Sequence, residues 1–173
     1  MIRKFNLINS FIFYIFLLSS LYFSYIFLIT NINGDWRNYI DSEILWPYNI
    51  LLILSDEKIE FSAYGFFYFN LEYKFFQFLD LINYLKVSNI EDLNNGINFS
   101  EKLENLIIAG RWFNVFIIYI TLIITFLIFK NLIKNNKLSL LLCVTYMFTP
   151  GLIQQISHAR VDILASTLLL ISY

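Results

Sequence analysis

The sequence predicts an all-α fold: a polytopic bundle of transmembrane helices with further amphipathic helices lying on its outer surface. Three observations predict it. Hydrophobic residues make up 58% of the chain and aromatics 20%, against about 45–50% apolar residues in an ordinary soluble domain. Uncharged runs recur that reach the roughly 20 residues needed to cross a hydrocarbon core. The polar connections between those runs differ in sign, the first acidic and the second rich in lysine. No basic patch of the kind that grips nucleic acid is present. The single cysteine, Cys143, sits inside an apolar run, where it reads as a small buried hydrophobe.

The first element is Phe5–Ile32, free of charge throughout and preceded by Arg3 and Lys4. A cleaved signal peptide would have an apolar region of about 7–15 residues and a small-residue cleavage site. This run is longer and ends in Asn31-Ile32-Asn33-Gly34, so it reads as a retained span. Its basic flank puts the N-terminus in the cytoplasm.

Residues 33–105 form an external loop carrying twelve carboxylates against five basic residues. Two apolar runs interrupt it, Ile44–Leu54 and Phe61–Leu85. The second is long enough to span but would carry Glu72 and Lys74 near its middle. Central charges cost about 2.5–3.5 kcal/mol each on insertion scales, and a span here would turn the later lysine-rich loop outward. Both runs are therefore read as helices along the outer membrane surface or packed on the bundle, with Tyr64-Gly65 marking a bend. Val87–Ser100 reads as a polar loop turned by Asn94-Asn95-Gly96. Asn98-Phe99-Ser100 matches the N-glycosylation pattern, which in an Asn-rich chain reads better as chance.

Leu106–Phe129 is the second span, with Arg111 and Trp112 near its outer end. Lys130–Lys137 follows, with three lysines and no acid, as a cytoplasmic connection would have. Leu138–Ile156 is the third span, broken or kinked by Pro150-Gly151. Ser157–Asp162 then emerges on the outer side. Ile163–Tyr173 begins a fourth helix of eleven residues, about half of a 30 Å core at 1.5 Å per residue. Residues 1–173 are thus expected to be the N-terminal part of a larger membrane protein.

The stretch Ile32–Leu54 sets Asp35, Arg37, Asp41 and Glu43 among Trp36, Tyr39, Trp46 and Tyr48, beside the bilayer. Carboxylates are costly to hold there unless something uses them. The predicted topology brings three features to one membrane face: the Asp41 region, the Arg111 end of the second span, and the His158–Asp162 turn. Arg suits phosphate because its planar fork donates two hydrogen bonds at once. A carboxylate suits removal of a proton from a hydroxyl. Each residue also has a plainer role open to it. Asp41 fits a helix cap or a surface carboxylate, with Asp35 the next candidate base. Glu43 fits a second acid, a solvated neighbour, or with Asp41 a ligand for Mg²⁺. Arg111 fits an interfacial anchor, Arg160 and Asp162 an ion pair at a helix start, and His158 a polar loop residue.

The order of elements resembles the GT-C glycosyltransferases, in particular the bacterial branch related to protein O-mannosyltransferases and aminoarabinose transferases. Asp41-Ser42-Glu43 stands where that family has an external Asp-Glu, and Leu54-Ser55-Asp56 resembles its downstream Gly-Asp turn. Tyr64-Gly65-Phe66-Phe67-Tyr68 resembles its aromatic segment, and Gly110-Arg111-Trp112-Phe113-Asn114 its Arg-led entry to the second span. Thr149-Pro150 through Ala159-Arg160-Val161-Asp162 resembles the stretch joining its third and fourth helices. Ser42 replaces the family's Glu, and the Lys-Pro-Pro element of the aminoarabinose branch is absent. The resemblance implies a polyprenyl-phosphate sugar donor, a glycan, lipid or protein acceptor, and one inverting displacement outside the cytoplasm. It implies Asp41 as general base with Glu43 beside it, and Arg111, Arg160 and Asp162 at the donor phosphate. Mg²⁺, Mn²⁺ and metal-independent transfer all remain open. The alternative is a non-catalytic membrane scaffold or transporter fragment. A transporter should carry charged or helix-breaking residues at mid-bilayer, and the middles of Phe5–Ile32 and Leu106–Phe129 carry none.

Overall fold

The computed structural model describes residues 2–29, 42–55, 66–87, 89–94, 98–152 and 162–172. Its elements are α1 (Ile2–Ile29), α2 (Ser42–Leu54), α3 (Phe66–Leu81), α4 (Ile90–Asn94), α5 (Phe99–Ile133), α6 (Asn136–Met147) and α7 (Asp162–Ile171). No strand occurs among the described residues. Two helices, α1 and α5, are long and apolar enough to cross a bilayer.

α1 contains neither Pro nor Gly, so nothing in it breaks the ladder. Its serines do not interrupt the apolar surface, because Ser19 and Ser20 donate to the carbonyls of Ile15 and Phe16, one turn back. Ile12, Phe13, Phe16, Phe27 and Leu28 are exposed on it. A helix meant for water would place polar residues there.

α5 is the long element around which the others pack. Its 35 residues make about 50 Å at 1.5 Å per residue, more than a hydrocarbon core of roughly 30 Å. It starts at Phe99, seven residues before the expected Leu106, so the end of the expected external loop forms its first two turns. Lys134, with φ 56°, closes it by donating its backbone N–H to the Lys130 carbonyl. Asn135 then caps α6, its side-chain oxygen accepting from the N–H groups of Lys137 and Leu138. The lysine-rich connection is therefore a tight two-helix hairpin.

α1 and α5 run antiparallel. Phe11 stacks on Phe126, Ser19 meets Tyr119, Tyr22 bonds to Val115, and Phe27 lies against Trp112. The beginning of α1 and the Lys130–Lys137 hairpin consequently share one end of the molecule. α6 fills the side of this pair, with Cys143 against Leu122 and Phe148 edge-on to Tyr25. α7 joins α5 through the Thr121 and Thr167 hydroxyls, 2.5 Å apart and buried.

The helix expected over 138–156 is shorter than the sequence suggests. Regular α6 stops at Met147, and the chain turns at Phe148 and Thr149 before a helical turn at 150–152. Pro150 has no N–H to donate, and residues before a proline avoid helical backbone. Residues 153–156 lie outside the described part.

α2 and α3 both pack on α5, one of the two placements the sequence left open, but only α3 is amphipathic. In α2, Pro47, Asn49, Ile50, Leu51 and Leu52 are all buried, a spread around the helix rather than a stripe along it. It packs against both α5 and α3. α3 does have a stripe: Tyr68, Phe69, Glu72, Phe76 and Leu79 are buried while Phe67, Lys74, Gln77, Phe78 and Asp80 are exposed. The single ring of Phe113 touches both Tyr68 and Phe75, two turns apart on α3. Phe75 also stacks on Phe116, so α3 is held to α5 by rings from both helices. It ends at Asn83 (φ 56°), with Tyr84 N–H reaching the Leu79 carbonyl and Asn83 N–H that of Asp80, the left-handed terminator usually given to glycine.

Candidate functional site

Buried polar groups meet where α3 packs on α5, through Tyr68 and Asn114, and where α7 packs on α5, through Thr121 and Thr167. On α5, Arg111, Asn114, Thr121 and Thr125 are buried at separations of three, seven and four. Such spacings keep all four on one face of a 3.6-residue helix. The two threonines satisfy themselves by donating one turn back, to Ile117 and Thr121. Arg111 and Asn114 share that face. Both are fully buried and both are engaged by partners.

α3 adds Tyr68, whose hydroxyl donates to Asn114 Oδ1 at 3.3 Å, and Glu72 one turn further. α2 adds Asn49, also fully buried and partnered. Pro47, in the same helix, lacks the N–H that would close on the Glu43 carbonyl, leaving that carbonyl open to another donor.

Glu72 is the outlier. Its side chain has no exposure, and neither carboxylate oxygen has a hydrogen-bond partner among the described residues. Burial in this apolar contact pushes its carboxyl up to about 8 from an ordinary value of 4.5, because a charge there cannot be solvated. The group is consequently protonated at neutral pH. Burial raises the Tyr68 phenol as well, with the Glu72 carboxylate adding to the effect.

Of the residues the sequence proposed, Arg111 is the one whose side chain is described, and it is not a snorkelling anchor. With zero exposure, its guanidinium is held inside the helix packing. Asp35, Asp41, His158 and Arg160 lie outside the described residues, as do the side chains of Glu43 and Asp162. Backbone positions still place two of these: Glu43 is the second residue of α2 and Asp162 the first of α7. The candidate Mg²⁺ pair, Asp41 and Glu43, is thus also beyond description. Among the described residues no group of three His, Cys, Asp or Glu side chains converges as metal ligands would.

Sequence reasoning passed over Glu72, Tyr68 and Asn49 as site groups. The signal for two of them was present. Tyr68, Glu72, Phe76 and Leu79 recur at four, four and three, the spacing of a core-facing stripe, so Glu72 could have been read as buried.

Comparison with known proteins finds no matching family model, no matching curated protein and no matching solved structure.

Proposed function

We propose that this chain is part of an integral, multi-pass membrane glycosyltransferase of the GT-C type, with its N-terminus in the cytoplasm. It transfers a sugar from a polyprenyl-phosphate donor to a glycan, lipid or protein acceptor on the opposite side. The observation that carries the reading is the burial of Arg111 and Asn114 together in α5, at the Arg-led entry the family resemblance singles out. A guanidinium inside an apolar helical assembly is expensive and is found where a site needs it. α2 packs on the same helix, and Asp41 directly precedes the first residue of α2 in sequence.

In this mechanism Asp41 removes the acceptor hydroxyl proton. The oxygen attacks the anomeric carbon as the bond to the donor phosphate oxygen breaks, with inversion, and polyprenyl phosphate leaves. Arg111, Arg160 and Asp162 shape the phosphate site, the cations steadying the charge that the leaving group gains. Glu43 assists as a second acid or, with Asp41, holds Mg²⁺ or Mn²⁺.

Transfer from a radiolabelled polyprenyl-phosphate sugar tests the proposal. Asp41→Asn should lower turnover by about 10²–10⁴-fold, the usual worth of a general base, while Asp35→Asn costs much less. Arg111→Lys keeps the charge but loses the two-pronged donor, and should raise the donor KM by about tenfold or more. Wild-type turnover in Asp41→Asn would discard the assigned base. A melting temperature lost in Arg111→Lys with KM unchanged would make Arg111 structural.

One observation favours a second reading, a proton-linked transporter. Glu72 is the kind of buried, protonated carboxyl that relays protons in such proteins. Under that reading Glu72→Gln abolishes pH-driven uptake into vesicles and Asp41→Asn has no effect.

A further inference from the structure

We propose that the lysine hairpin forms a binding site for the headgroup of an anionic phospholipid. An open groove of about 710 Å³ lies at the end of the molecule where α1 begins, α5 ends and α6 begins, lined by Tyr14, Lys130, Asn131, Lys134, Asn135 and Lys137. Three cations converge on it and no carboxylate lines it.

Two of these lysines have a plain explanation. Lys130 and Lys134 stand at the C-terminal end of α5, where the helix dipole favours cations. Lys137 does not fit that explanation. It lies in the first turn of α6, where Asn135 caps the N–H groups of Lys137 and Leu138 but the positive end of the helix dipole still disfavours a cation. The fold therefore sets three positive side chains and a helix N-terminus around one space, an arrangement that an anion relieves and a cation does not.

Position selects a lipid over a solute. Lys130 is held with its ammonium 3.9 Å from the centroid of the Phe11 ring, at the position where the uncharged length of α5 that follows Arg111 ends. Tyr14 lies one turn further in. The groove thus sits at the boundary between the lysines and the apolar length of α5. That is the level of a phosphodiester, with Tyr14 and the Asn131 amide near the ester region and acyl chains against the exposed flank of α1. Basic pockets between helices at a membrane face bind lipid headgroups in this way. The inference rests on the membrane placement of α1 and α5, not on sugar transfer.

The test is flotation of the purified protein with vesicles of phosphatidylcholine, alone or mixed with phosphatidylglycerol, followed by mass spectrometry of the lipid retained on extraction into mild detergent. Wild type should float with both and retain phosphatidylglycerol well above its share of the vesicle. Each Lys→Gln change should weaken that preference about fivefold, and the triple variant at 130, 134 and 137 about a hundredfold. The triple Lys→Arg variant should keep it, and Lys74→Gln, exposed on α3, should leave it unchanged. If the triple Gln variant does not fold, the three single variants carry the measurement.

Failure to float with any vesicle overturns the membrane placement and the site with it. Flotation without anionic preference, or a preference the triple Gln variant keeps, overturns the site alone. Displacement of the retained lipid by inorganic phosphate at low concentration assigns the groove to a soluble anion and overturns the lipid.

Discussion

The Tyr22 hydroxyl of α1 donates to the backbone carbonyl of Val115 in α5 at 2.8 Å, and both residues are buried. The two are 93 positions apart in sequence, so this bond fixes how α1 docks. Tyr22 also stacks on Tyr119, whose hydroxyl meets Ser19 at 2.6 Å. The side of α1 turned to α5 is thus tied by polar atoms, while Ile12, Phe13, Phe16, Phe27 and Leu28 are exposed.

Tyr22→Phe should lower stability by about 0.6 kcal/mol and at most about 1.7, the range found for hydrogen bonds between membrane helices. Loss of both Tyr22 and Tyr119 hydroxyls should cost more than either alone. Thermal unfolding in detergent, followed by circular dichroism, measures both. No loss in the double variant would show that ring packing alone docks α1.

The antiparallel pair fixes a relation between two loops. Asn94 and Asn135 are exposed and lie before and after α5 in the chain, whose 35 residues make about 50 Å. Single cysteines at each, in a chain with the buried Cys143 replaced, should differ in labelling by an impermeant thiol reagent on intact cells. Asn94→Cys should react and Asn135→Cys should not. External reaction of both would overturn the proposed multi-pass arrangement.

Glu72 gives the chain a pH-dependent stability with a definite sign. Its folded value, about 8, lies above its ordinary 4.5, so the unfolded chain releases this proton at lower pH than the folded one. Stability from this group is fully present below about 4.5 and is lost as pH rises through about 8. The melting temperature in detergent should fall across that window, and Glu72→Gln should remove the slope. A slope that survives in Glu72→Gln belongs to another group.

What the sequence determined by itself was the helical class, the two apolar stretches in α1 and α5, and the difference in charge between the loops. These follow from composition and from uncharged length, which act residue by residue and need no knowledge of neighbours. Pro150 likewise announced the end of α6, since its missing N–H acts on its own segment. Where α2 and α3 go is a different kind of fact. Ile44–Leu54 is apolar enough to lie on a surface or in an interior, and contact with α5 and α3 decided for the interior. Arg111, at an expected helix end, left both an interfacial anchor and a phosphate contact open, because arginines usually reach water. Its zero exposure is set by the packing of the assembled helices. For Glu72 the cost of a central charge argued against placing it inside a span. The tertiary packing nonetheless buries the carboxyl, and it does so by leaving it protonated, so that the charge whose cost the sequence counted is not present. Polar burial is a property of what packs around a residue, and only the assembled helices contain it.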